Sequence, residues 1–578
     1  MSQLIPRAVF AMLAVLPILV ISHQKKGNEP TVMIVLPVRN KEAYLPYTLS
    51  QLSLLDYPKE RLSLWVASDH NQDRSAEILL TWLERYGPLY SSVKAAVNTS
   101  SPPLRPDERS AVHMSPGRLR AVADMKQEAL QTARQLSIDL IWFLDADVVL
   151  HDSTVLRQLL NTQKPLVAPM LRSVGKHSNF CEDVTDDFFC FESERFSEIY
   201  SRQQRGCFAV PLIRSCVLVD LCDPRTAGLT FSSDRCGTRP ERETLDDAVT
   251  LALSARDAGL QMTVCNQEDF GQVPAPLTPT QEPKDERRNM VNMKLKALLD
   301  WGPLPIVPLM RLFLPNLPSK SRLGFDRIYV IGLQRRPERW SRHNACFDEI
   351  GIEAAHVHAV DGRKLTDDML EKYNISSPRN NERRVRLNKG EIGCFLSHYG
   401  VWQDVFDSGL ERVLVLENDA HPTAEFPERL QQLVAEADRL RPQWDFIYLF
   451  RELPRNDEPV EGAEQLIKPG FCYSAMAYVL SRKGAETLLR DRPLENMLCV
   501  DDYIPLMAGN VPHSRWIGRF PSAGTLRTFA SRDHLIHPAK VRGERGYNSD
   551  TTEVDGVVGA RSCAAEGNMD SDCYRPNL

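Results

Sequence analysis

The chain has 578 residues, of which 43% are hydrophobic and 25% charged, and its formal net charge is −6. That is the make-up of an ordinary globular protein with two large or about three smaller domains. The mild acidity and the lack of any long basic run argue against a dedicated nucleic-acid binder.

At the N-terminus Arg7 precedes Ala8–Ile21, 14 residues without charge. This run is short for a membrane span, which takes roughly 17–25 residues. It reads as a signal-peptide core cleaved near Ser22-His23, with an uncleaved anchor as the alternative, and residues 1–25 are set aside from the fold. Val32–Val38 is an apolar, β-branched strand, Glu42–Leu55 a helix, Leu62–Ala67 a strand and Ala76–Arg85 a helix. This alternation predicts a parallel sheet with crossover helices. A helix over Met125–Leu136, a strand over Leu140–Leu144, a helix over Ala248–Ala258 and a strand over Met262–Cys265 continue the pattern.

Gln272–Lys284 is proline-rich and polar, and Pro303–Lys320 holds five prolines. Residues 271–322 therefore read as a linker, with a helix at Asp285–Asp300 inside it. A second rhythm follows: strand Asp326–Leu333, helix Glu338–Ile350, strand Ala355–Val360, helix Lys389–Asp407, strand Arg412–Leu416, helix Ala424–Leu440 and strand Phe446–Leu449. The expected organisation is thus residues 30–270, a linker, residues 323–545 and a polar tail over 546–578. The two halves are similar in size, but their sequences do not align with each other by eye.

Seven of the thirteen cysteines fall between Cys181 and Cys265. In an oxidising lumen some should pair, with one thiol at least left over. No C-x-x-C occurs, which argues against a zinc or thioredoxin-like motif. Asn98-Thr99-Ser100 and Asn374-Ile375-Ser376 are glycosylation sequons.

Carboxylates gather where strands end. Asp145-Ala146-Asp147 follows the strand Leu140–Leu144, and ligands of open α/β sheets bind beyond the strands' carboxyl ends. Two such groups suit a hard Mn²⁺ or Mg²⁺ ion that bridges to a sugar diphosphate. Asp69, in Ser68-Asp69-His70-Asn71, is placed to accept hydrogen bonds from a uracil or ribose, although a polar helix start explains that segment as well. Asp246 and Asp247 head a helix, where they serve as cap or as general base. In the second half Glu417-Asn418-Asp419 repeats the acidic strand end, with Asp419 as metal ligand and Glu417 in support or in catalysis. Arg335, Arg336, Arg339 and Lys389 are candidates for pyrophosphate. Glu391, Ser397 and His398 belong to the same helix-start cluster as Lys389, and Asp501-Asp502 is a further pair near the acceptor.

As a set, several segments resemble the collagen hydroxylysine galactosyltransferases of glycosyltransferase family 25. In the second half they are Ile328 to Arg339, Ala359-Val360-Asp361-Gly362, Lys389 to Tyr399, Trp444 to Tyr448, Val500 to Pro505 and Gly546 to Asp550. In the first half they are Leu55 to Lys59, Ser68 to Asn71, Val167 to Leu171 and Ser178-Asn179-Phe180. The resemblance implies two tandem Rossmann-like nucleotide-sugar-transferase domains of the GT-A type. It implies inverting transfer of galactose from UDP-galactose to hydroxylysine in collagen-like polypeptides, with Mn²⁺ or Mg²⁺, in the endoplasmic reticulum lumen, a homodimer being a further expectation.

Three features depart from the family pattern. Glu417-Asn418-Asp419 stands where Glu-Asp-Asp is usual, which removes one carboxylate. The chain ends Arg575-Pro576-Asn577-Leu578 rather than in an Arg-Asp-Glu-Leu-type retention signal, and residues 376–388 are rich in arginine. The alternatives are a catalytically silent lumenal or adhesion-type paralogue and a transferase for another UDP-sugar or acceptor.

Overall fold

The computed structural model describes residues 29–173, 175, 177–185, 188–232, 246–277, 281–372, 387–440, 443–511 and 516–539. The leader, the Asn374 sequon, most of the arginine-rich stretch and the tail lie outside them. The chain divides into two compact units. The first runs to Lys294 and takes in Pro303–Pro315, and the second holds Leu295–Gly302 and the residues from Asn316 onward. Among the described residues no helix is long and apolar enough to cross a membrane.

In the first unit the strands used below are β1 (Val32–Val38), β2 (Leu62–Ser68), β3 (Ser92–Val97), β4 (Leu140–Phe143), β5 (Val149–Leu150), β6 (Leu166–Pro169), β7 (Cys207–Val210), β8 (Val217–Asp220), β9 (Met262–Cys265) and β10 (Gly271–Gln272). Its principal helices are α1 (Leu45–Leu54), α2 (Ser75–Tyr86), α3 (Pro116–Gln135) and α4 (Asp247–Asp257), and the long helix α5 (Pro283–Asp300) follows. The main sheet has the order β3-β2-β1-β4-β8-β6-β9-β7, and β5 pairs with β10 beside it. Strand β1 alternates its buried side chains between two layers. Val32, Ile34 and Leu36 meet α1 and α2 through Leu45, Leu49, Ile78 and Trp82, while Met33 and Val35 meet Ala129 and Leu130 of α3 and Val249 of α4. Each large apolar side chain so buried contributes roughly 1.5–3 kcal/mol.

The all-parallel sheet expected from the helix–strand rhythm is corrected in both units. β8 runs antiparallel to its neighbours β4 and β6, and β7 antiparallel to β9. Strand direction leaves no local mark on a short apolar run, so the sequence could not show it.

The second unit has β11 (Arg327–Leu333), β12 (Ala355–Ala359), β13 (Arg412–Glu417), β14 (Ala420–Pro422), β15 (Phe446–Tyr448), β16 (Glu458–Pro459), β17 (Leu466–Lys468), β18 (Ala477–Ser481), β19 (Thr528–Ser531) and β20 (Ile536–Pro538). The helices that matter below are α6 (Pro337–Ile350), α7 (Lys389–Asp407) and α8 (Val500–Ala508). The sheet order is β12-β11-β13-β18-β15-β19-β17-β16, with β14 paired to β20 beside it. Here β18 is the reversed strand, antiparallel to β13 and to β15.

Position by position, β11, β12, β13, β18, β15, β19 and β17 repeat β1, β2, β4, β8, β6, β9 and β7, in the same chain order and with the same directions. The small pair β14–β20 repeats β5–β10, and helices α7 and α8 occupy the chain positions of α3 and α4. The fold is therefore two tandem α/β domains built on one strand plan. Among the described residues of 271–322, β10 pairs with β5, and α5 and the turn Pro308–Phe313 follow.

Candidate active site

In the first unit the chain breaks away at the end of β4, and Asp145 and Asp147 emerge between it and β5. They line a cavity of about 260 Å³ shared with Asp69 after β2 and with Asp246 and Asp247 at the head of α4. Asp145 and Asp147 keep 34% and 20% of their side chains exposed, so their oxygens remain open to that space.

Two lysines that the sequence reading did not single out organise these carboxylates. Lys126, on the inner face of α3, lies 2.6 Å from Asp247 Oδ2 and 3.4 Å from Asp145 Oδ1. Lys41, just past β1, lies 2.8 Å from Asp147 Oδ2 and 2.8 Å from Glu286 Oε1 of α5. Burial works against both ammonium groups, but the paired carboxylates outweigh it and hold each pKa above the usual lysine value. Burial raises the Asp145 carboxyl pKa, Lys126 opposes that, and Asp147 and Asp247 add to it. Lys41 had a legible signal, since it follows the first strand at the same rim as the acids. Lys126 lies within a helix and Glu286 within the stretch read as linker, so nothing local marked them.

Asp69 accepts from Arg105 Nη2 at 2.7 Å, while Asp73 accepts from the backbone of Glu42 and Ser75 and so fixes the start of α2. The helix-start reading of that segment therefore falls on Asp73. At α4 the two acids also make different contacts. Asp246 is the cap, accepting from Ala248 N at 2.7 Å and meeting Arg214 at 3.0 Å, whereas Asp247 faces Lys126. With Arg105, Arg118 and Arg214, the cavity wall combines basic groups fit for phosphate with oxygen donors fit for a hard cation.

In the second unit Glu417 ends β13, and Asn418 and Asp419 form the step to β14. His398 of α7 is fully buried, with Nε2 3.0 Å from Glu417 Oε1 and Nδ1 2.9 Å from the Tyr478 hydroxyl. Cys394, one turn earlier on α7, places its sulfur 3.9 Å from the same Glu417 oxygen. Asp501 and Asp502 lie in the first turn of α8. Burial, then Glu417, pushes the Asp501 pKa up to about 7, and burial, then Asp501, pushes that of Asp502 up to about 7. Burial followed by Glu417 also drives the Cys394 thiol well above its ordinary value.

Other candidates from the sequence are held by the fold. Lys389 Nζ donates to Leu365 O at 2.7 Å, and Glu391 completes a capping box with Asn388. The Ser397 hydroxyl donates to Gly393 O and accepts from Val360 N. Arg335 pairs with Asp361 at 3.2 Å, and Arg336 and Arg339 stand at the start of α6. Asn418 lies against β11: a Cβ on Gly332 would come within 2.7 Å of Asn418 Nδ2.

Two family models match the chain, the glycosyltransferase family 25 N-terminal domain over residues 29–294 and the glycosyltransferase family 25 (LPS biosynthesis protein) domain over residues 325–504. A glycosyltransferase 25 family member of Drosophila melanogaster is 35% identical, covering 98% of this chain and 95% of that protein. Human procollagen galactosyltransferase 2 is 35% identical over 91% of this chain and 83% of its own length. The mouse inactive glycosyltransferase 25 family member 3 is also 35% identical, over 90% and 88%. Matched in both halves, and similar to these relatives along at least nine-tenths of its length, the chain belongs to glycosyltransferase family 25.

Proposed function

We propose that this chain transfers galactose from UDP-galactose to hydroxylysine of collagen-like polypeptides, with inversion, and that the first unit's cavity holds the donor. The observation that carries this reading is the convergence of Asp69, Asp145, Asp147 and Asp247 with Lys126 and four arginines around one cavity at the carboxyl rim of the sheet. Asp69 suits the uridine, the arginines the diphosphate, and Asp247 the proton of the acceptor hydroxyl. Mn²⁺ or Mg²⁺ on Asp145 and Asp147 would offset the charge gathering on the departing diphosphate. The disulfides Cys181–Cys190 and Cys207–Cys265 support the secretory-pathway lumen as the compartment.

Calorimetry with UDP-galactose and Mn²⁺, together with turnover of a hydroxylysine peptide, tests the assignment. Asp147→Asn should abolish both, while Asp419→Asn should leave both near the parent level. The reverse pattern would move the donor to the second unit.

A catalytically silent reading is favoured by the contacts of Asp145 and Asp147 with lysine ammonium groups, which already neutralise part of the proposed cation site. UDP binding without turnover above a chelated control would select it. Hydrolysis of a different UDP-sugar in a donor screen would select a transferase of other specificity.

A further inference from the structure

We propose that the second unit binds a zinc ion through Cys394 Sγ, His398 Nε2 and Glu417 Oε1, with the fourth position open to water.

The repeat of the fold shows why this place differs from its counterpart. In the first unit the helix preceding the acid-bearing strand supplies Lys126, whose permanent charge sits between Asp145 and Asp247. In the second unit the corresponding helix, α7, supplies Cys394 and His398 to the corresponding strand end, Glu417. A fixed cation in one unit is thus matched in the other by two metal-ligand types on one helix face, four residues apart.

The geometry is close to that of a bound ion. All three ligand atoms lie within 4.8 Å of one another, with the imidazole nitrogen 3.0 Å and the sulfur 3.9 Å from Glu417 Oε1. Ligand atoms on a tetrahedral zinc ion, with bonds of about 2.0–2.3 Å, stand about 3.3–3.7 Å apart. The surroundings are also those of a metal-bound histidine. Nδ1 of His398 meets the Tyr478 hydroxyl at 2.9 Å, and Trp402 Nε1 donates to that hydroxyl at 3.1 Å. Tyr478 and Trp402 are both fully buried, so the ring is locked in orientation with Nε2 turned to Glu417.

Sulfur and imidazole donors select zinc over manganese or magnesium, which favour all-oxygen sites. A thiolate and a carboxylate match the ion's charge. The absence of C-x-x-C excludes only a site built on that local cysteine pair. Here the third ligand comes from a separate strand, and the fold alone brings it in. The proposal is independent of the donor site in the first unit.

The test uses the full chain, stripped with a chelator and titrated with zinc against a chromophoric competitor, with cobalt as a spectroscopic probe. The expected result is one zinc per chain and a thiolate-to-cobalt charge-transfer band. Cys394→Ser should abolish that band and weaken zinc binding by at least about 100-fold. Tyr478→Phe should weaken zinc binding by about 10–100-fold while retaining the band. Cys222→Ser, on an exposed cysteine, should leave stoichiometry and band unchanged. No zinc uptake, a cobalt spectrum without a thiolate band in the parent chain, or zinc binding indifferent to Cys394→Ser would each overturn the proposal. The parent spectrum decides the matter even if a variant fails to fold.

Discussion

Lys126 carries a burden out of proportion to one side chain. Only 6% of it is exposed, and it separates two carboxylates that would otherwise face each other across the cavity. Lys126→Met should destabilise the first unit by about 1–3 kcal/mol, the cost of leaving a partly buried carboxylate without its partner. Added Mn²⁺ should recover more of that loss in the variant than in the parent, because it neutralises the same oxygens. Thermal unfolding with and without the ion reads both effects, and an unchanged midpoint would contradict the role. His343 of α6 makes a different contribution. It is fully buried against Phe347, and burial, helped by His356, lowers its pKa to about 4. The unfolded imidazole takes up its proton near pH 6.5 while the folded one stays neutral. The unfolded state therefore holds more protons between about pH 6.5 and 4, and stability falls as pH drops through that window, by about 3 kcal/mol in all. His343→Leu should flatten this part of the pH profile relative to the parent, as urea unfolding between pH 7 and 4 would show. A parallel pair of profiles would rule the histidine out as the source.

The helix α7 shows how an element sets a site. Its start is fixed by the reciprocal bonds of Asn388 and Glu391, and its approach to the end of β12 depends on Gly393, where a Cβ would lie 2.5 Å from Val360 O. Asn388→Ala should cost about 1 kcal/mol. Gly393→Ala should cost more, about 1–3 kcal/mol, because the helix must back away from the sheet with Cys394 and His398 upon it. Calorimetric unfolding of the two variants tests that order. Elements of this kind were readable in proportion to the strength of their apolar pattern. Val32–Val38, Met262–Cys265 and Lys389–Asp407 lie where the sequence puts them, since each is a strong apolar run or a capped helix. Helix α3 begins at Pro116 rather than Met125, because its first two turns open on a proline and a glycine, bury no residue and so show no stripe. Strand β3 escaped notice for a similar reason, being a half-buried strand at the sheet's edge. Of the site, the carboxylates were legible from their place after strands. Of their partners, Lys41 could have been found from its place after the first strand, whereas Lys126, Glu286 and Cys394 could not, because long-range pairing leaves no trace in spacing.

Across the whole chain, one plan is used twice with different chemistry at the equivalent rim. That repetition survives in strand order and direction, whereas burial constrains residues only to be apolar, which is why the halves do not align as text. The two units also differ in covalent reinforcement: both disulfides among the described residues lie in the first. Cys207–Cys265 closes a separation of 58 residues, and losing such a loop constraint should cost the first unit about 4 kcal/mol. Reductant should therefore lower one of two unfolding transitions in a calorimetric scan and spare the other. Equal shifts of both would contradict the assignment.

That bond has a consequence beyond stability. Cys207 and Cys265 sit directly opposite one another in the ladder, so the link pins β7, the outermost strand, onto β9. Once it is cut, β7 is free to fray, and the hydrogen-bonding margin of β9 becomes a template for strands from other molecules. A reduced sample should then clump in proportion to its concentration well before it melts, with a single sulfur bridge as the guard against self-association.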